Sequence, residues 1–189
     1  STDYGATVVL PRLAARFFAM APGAELDIRP LTPGSFDELG SNDLDFVLYS
    51  DNPVPTALRA KELYRERFAC LVRPGHPAAR SGDGTLPLEA YLGHPHILVT
   101  VTGGRTGPVD RALAALDRER RIALVLPYFA TAALAAANSD LILTMPHRAA
   151  RRAWNSSCSN LPSSLAISAT GASGTSGSTM IRAMPGCAG

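Results

Sequence analysis

Cysteine is scarce. Cys70, Cys158 and Cys187 are the only three in 189 residues, far apart and without CxxC spacing. That excludes a disulfide framework and a thiolate zinc site, and it fits a reducing compartment, the cytoplasm. Lysine is scarcer still: Lys61 is the one lysine among eighteen basic residues. Sixteen acidic residues leave a net charge of only +2, so no basic stripe marks a nucleic-acid surface. Long apolar runs are missing. The stretches 122–126 and 130–137 fall far short of the roughly 18 residues a membrane helix needs. No secretory signal is visible, and the chain opens on Ser-Thr rather than Met, so it reads as a piece of something longer. Acidic residues stop before the end: from Ala153 to Gly189 there is no Asp or Glu, and Arg182 is the sole charged side chain.

Against these absences, 46% of the residues are hydrophobic, enough for a core in one domain or two small lobes. Leu10, Leu13, Ala14, Phe17 and Phe18 fall on one helical face, with Pro11 expected in the first turn. Leu26 and Ile28 alternate with Asp27 and Arg29 as a short strand. Ser35-Phe-Asp-Glu38 has the form of a capping box. Residues 44–49 read as a buried strand, and 58–63 and 67–72 are strand-like. Residues 73–77 form a turn that contains His76. A second set follows: helix 86–92, strand 96–101, a glycine-rich loop at 103–107 into a helix, strand 121–126, helix 129–138, strand 140–145, and a helix opened by Pro146. This alternation predicts an α/β chain of two similar lobes with mainly parallel sheets, whose ligands sit beyond the strand carboxyl ends.

The ordered motifs resemble a known family. Asp3-Tyr4 with Leu10-Pro11-Arg12-Leu13 and Ala21-Pro22-Gly23 is similar to the opening of the effector-binding domain of LysR-type transcriptional regulators. Leu39-Gly-Ser-Asn-Asp-Leu-Asp45 resembles its L-x-x-G-x-L-D step, with Asn42 in place of the usual Gly. Leu63-Tyr-Arg-Glu-Arg-Phe68 followed by Val72-Arg-Pro-Gly-His-Pro77 resembles its strand into an HP turn. Residues 91–96, 107–113, 125–129 and 139–146 are similar to the branch that includes nodulation and aromatic-acid-degradation regulators. The resemblance covers residues 1 to 152. It implies a periplasmic-binding-protein-like fold, two α/β lobes joined by a hinge of crossing segments. The first lobe is expected over 1–70, the second over 71–147, and a return segment over 148–189, aberrant and of low complexity from about 153.

The same resemblance implies a small-molecule effector held between the lobes, aromatic carboxylates being one class. It also implies DNA contact only through a missing N-terminal winged helix-turn-helix and a homodimer or higher homo-oligomer. No membrane partner is expected from the short apolar runs, no cofactor is expected, and no catalysis is expected, since no carboxylate pairs with a His and Ser in triad order. A solute-binding protein of a transport system stays open as the alternative, since fold does not settle function. The expected effector contacts are loop residues after strands: Thr2, Asp3, Tyr4, Leu31, Thr32 and Ser50 in the first lobe, and Thr100, Thr102, Pro127 and Phe129 in the second. Hydroxyls and backbone N–H groups would bind a carboxylate or phenol, and Tyr4 and Phe129 would pack its apolar body. Tyr4 and Phe129 read equally well as core aromatics.

Other chemistry is poorly supported. His94 and His96 could face one side of a strand start, but two histidines are too few for a metal. The loop 103–107 could hold an anion at a helix start, yet lacks a nucleotide-loop pattern. Ser139 and Asp140 have no GxSxG frame. The tail departs from the family's closing pattern, W-H-x-R…D-P-x-H-x-W-L-R. Residues 178–189 can be encoded so that the shifted frame reads His-Asp-Asp-Pro-Gly-His-Ala-Trp-Leu-Arg, so a frameshift near 149–153 is expected. The first lobe would then lose a sheet strand and expose edges and apolar faces.

Overall fold

Helix α1 runs from Asp3 to Met20, so it starts about two turns before the Leu10 face suggests. Thr2 explains the early start. Its backbone is extended, its Oγ1 accepts the Gly5 N–H at 3.0 Å, and Asp3 places a carboxylate in the first turn. Pro11 therefore lies inside the helix, not in its first turn, and has no N–H to give the Thr7 carbonyl. The buried residues are Tyr4, Gly5 and Val8, whereas Leu13 and Phe18 of the expected apolar face are exposed.

The computed structural model describes residues 1–49, 55–79, 86–100, 103–155 and 177–183, those of 153–155 and 177–183 as backbone only. Two compact units emerge: Ser1–Glu66 with 175–189, and 67–174. The chain passes from the first to the second between Glu66 and Arg67.

In the first unit, α1 is followed by α2 (Ser35–Gly40), β1 (Val47–Tyr49) and β2 (Leu58–Arg65); β7 (Gly177–Ala183) returns from the far end of the chain. Gly34 rather than Ser35 precedes the first helical residue of α2. The Ser35 hydroxyl accepts the Thr32 N–H at 3.0 Å instead of closing a capping box. Two expectations are corrected here. Residues 24–32 form no strand, because a strand needs a hydrogen-bonded neighbour and only Ser1 lies alongside among the described residues. The sheet is not parallel and does not lose its strand: its order is β1-β7-β2, and β7 pairs antiparallel with both neighbours. Thr179-Met-Ile181 is a β-favouring run, and pairing on both sides satisfies its backbone. Leu39 and Val47 form the buried centre of this unit.

Gly5 marks a close approach. A Cβ there would lie 2.7 Å from the Ser1 Oγ and 3.3 Å from the Leu48 Cβ of β1. We predict that Gly5→Ala is near neutral, because Ser1 can turn aside and alanine favours the helix by about 1 kcal/mol. Gly5→Val drives branched atoms at Leu48 and is expected to cost about 1–3 kcal/mol in urea unfolding. Equal stability of the two variants would contradict the packing.

In the second unit the strands are β3 (Phe68–Leu71), β4 (His96–Val99), β5 (Ile122–Leu126) and β6 (Ile142–Pro146), in the order β3-β6-β4-β5. β4 runs parallel to both β5 and β6, and β3 is antiparallel to β6. All five residues of β6 are buried, as a strand covered on both faces requires. Helices α3 (Leu88–Leu92), α4 (Pro108–Ala114), α5 (Phe129–Ala137) and α6 (His147–Asn155) complete the unit. Its core includes Cys70, Val72, Tyr91, Leu113 and Ile142. The alternating architecture is the periplasmic-binding-protein-like α/β class.

Candidate functional site

Parallel strands place their carboxyl ends on one edge, and in the second unit that edge gathers several expected contacts. Val99 of β4 lies opposite Leu126 of β5, and the Thr100 N–H donates to the Leu126 carbonyl at 3.1 Å. Thr100 and Pro127 therefore leave adjacent strands side by side. Two residues after Pro127, Phe129 opens α5, itself half-buried. Tyr128 occupies the capping position, and its side chain makes no capping hydrogen bond. The arrangement offers a hydroxyl, helix N–H groups and aromatic surface within one loop cluster, which suits an anionic, partly apolar small molecule. Thr102 lies outside the described residues.

Tyr128 was missed by the sequence reading. It stands between Pro127 and Phe129, 58% exposed. An aromatic in a strand-to-helix turn, too short of partners to be buried, was the available signal.

The first unit gathers a second group around the start of α1. The Leu31 N–H donates to the Ser1 carbonyl at 3.0 Å, bringing Leu31 and Thr32 beside Thr2 and Asp3. Their polar groups are partly committed. The Thr2 hydroxyl caps α1, and Thr32 is tied to Ser35 through its N–H and, at 3.3 Å, its hydroxyl. Leu31 packs against the Leu39–Val47 core. Tyr4 is buried, and its hydroxyl donates to the Glu66 carboxylate at 2.7 Å. Burial, with the hydrogen bonds of Tyr64 and Glu66, pushes its phenol well above the ordinary range. Ser50 lies outside the described residues.

Behind the β4–β5 edge lies a polar network that fixes the loop before α4. The side chains of Arg120 and Asp110 are 3% and 16% exposed. Arg120 Nε donates to Asp110 Oδ1 at 2.7 Å, Nη2 to Oδ2 at 3.1 Å, and Nη1 to the Tyr91 hydroxyl at 3.0 Å. Tyr91 also shares a 2.9 Å hydrogen bond with Thr144. Burial raises the Asp110 carboxyl, but the hydrogen bonds and charge of Arg120, with the Gly107 N–H, more than offset it and hold the group below its usual range. The Gly107 N–H donates to Asp110 Oδ2 at 2.6 Å. The negative group at the start of α4 is thus supplied by the chain itself, which argues against an external anion in the 103–107 loop.

His76 and His96 have structural roles. His76 is buried in its turn after Gly75, which has φ +70°; its Nδ1 accepts the Ala78 N–H, and its ring lies 4.8 Å from that of His94. The His96 Nε2 lies 2.8 Å from the Tyr91 carbonyl, to which it donates, and its ring is fully buried. Among the described residues, no three His, Cys, Asp or Glu side chains gather as a metal site would require. No helix among them is long and apolar enough to cross a membrane.

Residues 1–158 match the family model described as the LysR substrate binding domain. The chain is 28% identical over 152 residues to the HTH-type transcriptional activator NagR of Ralstonia sp, covering 80% of this chain and 50% of NagR. Its fold is similar to the regulatory domain of MexT, a transcriptional activator in Pseudomonas aeruginosa (TM-score 0.74, 24% identity, 96% of this chain and 84% of that one). It is also similar in fold to the BenM effector binding domain solved with its effector benzoate (TM-score 0.74, 14% identity, 96% and 80% coverage). The chain spans about half the length of the curated relatives it matches.

Proposed function

From the premise that this chain belongs to the LysR substrate binding domain family, we propose that it is the effector-sensing part of a bacterial transcriptional regulator. It takes up a small molecule and controls DNA binding by a winged helix-turn-helix elsewhere in the full-length protein. Relatives that are transcriptional regulators favour this reading over a transport solute-binding protein. Such a sensor works beside the DNA, in the cytoplasm, and performs no chemistry on its ligand.

The observation that carries the proposal is the junction of Thr100, Pro127 and the α5 N-terminus at the carboxyl edge of parallel strands. Effector contacts are assigned to Thr100, Thr102, Pro127 and Phe129, with Tyr128 added. In the first unit they are assigned to Thr2, Asp3, Tyr4, Leu31, Thr32 and Ser50, chiefly through backbone groups, since Thr2 and Tyr4 spend their hydroxyls internally. The ligand class is an aromatic carboxylate: helix N–H groups complement the charge, and the aromatic side chains complement the ring. A ligand acts only by binding two states differently, so its effect is a shift in the regulator's equilibrium.

Titration calorimetry with benzoate and other small aromatic carboxylates tests this. Binding is expected, and Thr100→Val should weaken it by about tenfold, roughly the 1.5 kcal/mol of one hydrogen bond. The absence of heat with every member would remove the ligand class. We also assign a homodimer or higher homo-oligomer, supported by the exposed apolar residues Phe18 and Met20 on α1. Sedimentation of the full-length protein reads that state directly.

A further inference from the structure

Gly103, Gly104 and Gly107 lie in the loop between β4 and α4 that follows Thr100. A stretch so rich in glycine has little local preference for one path, since glycine carries the largest backbone freedom of any residue. Its course is set by contacts outside itself. At one end, the Thr100 N–H is held by the Leu126 carbonyl of β5. At the other, Gly107 lies against β4, where a Cβ on it would meet the Leu98 Cδ1 at 3.6 Å and Asp110 Oδ2 at 3.5 Å. The Gly107 N–H donates to that same oxygen at 2.6 Å.

Arg120 fixes the carboxylate in turn. Two parallel hydrogen bonds, from Nε to Oδ1 and from Nη2 to Oδ2, leave one orientation of the carboxylate plane. The fork itself is held by its third nitrogen, Nη1, which donates to the buried Tyr91 hydroxyl. Tyr91 is tied to Thr144 of β6, and the Thr144 hydroxyl lies 3.5 Å from Cys70 Sγ of β3. A row of polar contacts thus runs from β3 and β6 to the end of the loop. Stability is a poor account of this pair. A buried ion pair contributes little over apolar residues of the same volume, because both charges must leave water. What it supplies is direction: one orientation of Asp110, hence one path for the chain at Gly107.

We propose that Arg120 is a positioning residue for effector binding. Acting through Asp110, it holds the loop after Thr100 in the conformation that receives the ligand. The assignment rests on the reading of Thr100 and its neighbours as effector contacts. An unpinned loop spends only part of its time in the receiving conformation, and apparent affinity falls by that fraction.

Asp110→Asn tests the assignment with little change of volume. An amide has one acceptor oxygen where a carboxylate has two, so it serves Arg120 or the Gly107 N–H but not both. Hydrogen exchange at Gly107 should quicken about tenfold, the worth of one hydrogen bond, relative to the Ile142 amide, whose bond to the Pro95 carbonyl reports global opening. Benzoate affinity in titration calorimetry should fall about tenfold, with the loss in the entropy of binding, because the ligand then has to order the loop. Arg120→Lys keeps the charge but not the fork and should move both readings the same way. Adding Gly104→Ala to Asp110→Asn should restore about two- to fivefold in affinity, since Gly104 has open space for a Cβ and alanine narrows the loop's freedom. A pair that merely supported the fold would shift the urea midpoint and leave the affinity of the folded protein unchanged, and that result overturns the proposal. So does a Gly107 rate that keeps pace with Ile142. No heat from the unaltered protein would remove aromatic carboxylates as the ligand class, and the exchange ratio alone then decides whether Arg120 and Asp110 hold the loop.

Discussion

Replacing Arg120 by alanine is expected to destabilise the second unit by about 3–5 kcal/mol, the range for breaking a buried ion pair from one side. The loss has three parts. Asp110 keeps its Gly107 N–H but loses the bidentate guanidinium, leaving a buried carboxylate short of compensation. Tyr91 loses a donor to its hydroxyl. A cavity remains where the arginine stem lay, because that side chain is only 3% exposed. Urea unfolding followed through second-unit resonances measures the effect. Pairing the change with Asp110→Leu should recover part of it, since removing both partners costs less than orphaning one. A loss under 1 kcal/mol for Arg120→Ala would place the pair among exposed ion pairs, contrary to its burial. By contrast, the Arg118–Glu89 pair, with the glutamate 75% exposed, should be nearly silent when broken.

The second large effect is on acid stability. Burial lowers His96 to about 4 from an ordinary 6.5, its hydrogen bond to the Tyr91 carbonyl only partly opposing the shift. Folded His96 is therefore neutral where the unfolded chain is already protonated. The unfolded state binds more protons between pH 6.5 and about 4, so stability is complete above that window and falls as pH drops through it. At 1.36 kcal/mol per pKa unit the span is roughly 3 kcal/mol. His96→Gln keeps a donor for the Tyr91 carbonyl and cannot titrate, so it should flatten the slope across this window. His76 is lowered as well, by burial first, and adds in the same sense. Asp110 acts in the acid range below the ordinary carboxylate value, so it does not blur the histidine window. Unfolding free energies at pH 7, 5.5 and 4.5 for both proteins check this. Parallel slopes would refute the role of His96.

Much of the second unit was legible in the sequence. Its strands are short apolar runs bounded by Gly, Pro, Asp or Arg, and its helices carry the i, i+3, i+4 spacing, so local pattern and tertiary context agree. The first unit was harder to read. α1 begins at Thr2 because of a cap, while the apolar face starts later, and periodicity alone follows the face. Residues 24–32 have strand pattern but no long partner, and pairing is not a local property. β7 was hidden in a Ser- and Gly-rich tail whose composition suggests no order. Of the site, loop positions after β4 and β5 followed from the parallel alternation. That Tyr4 donates to Glu66, 62 residues away, and that Asp110 rather than a ligand caps α4 depend on contacts no single stretch reveals.

The strand order β1-β7-β2 also bears on how the molecule is made. β1 and β2 are complete by Arg65, yet each pairs with β7 and, among the described strands, not with the other. Residues 67–174 form a contiguous unit and can fold as they leave the ribosome, whereas the sheet of the first unit must wait for residues 177–183 to be synthesised. The half made first is thus finished last. A nascent chain stopped short of residue 177 would hold one folded unit and two strands without their shared partner, the kind of intermediate that chaperones and proteases find first.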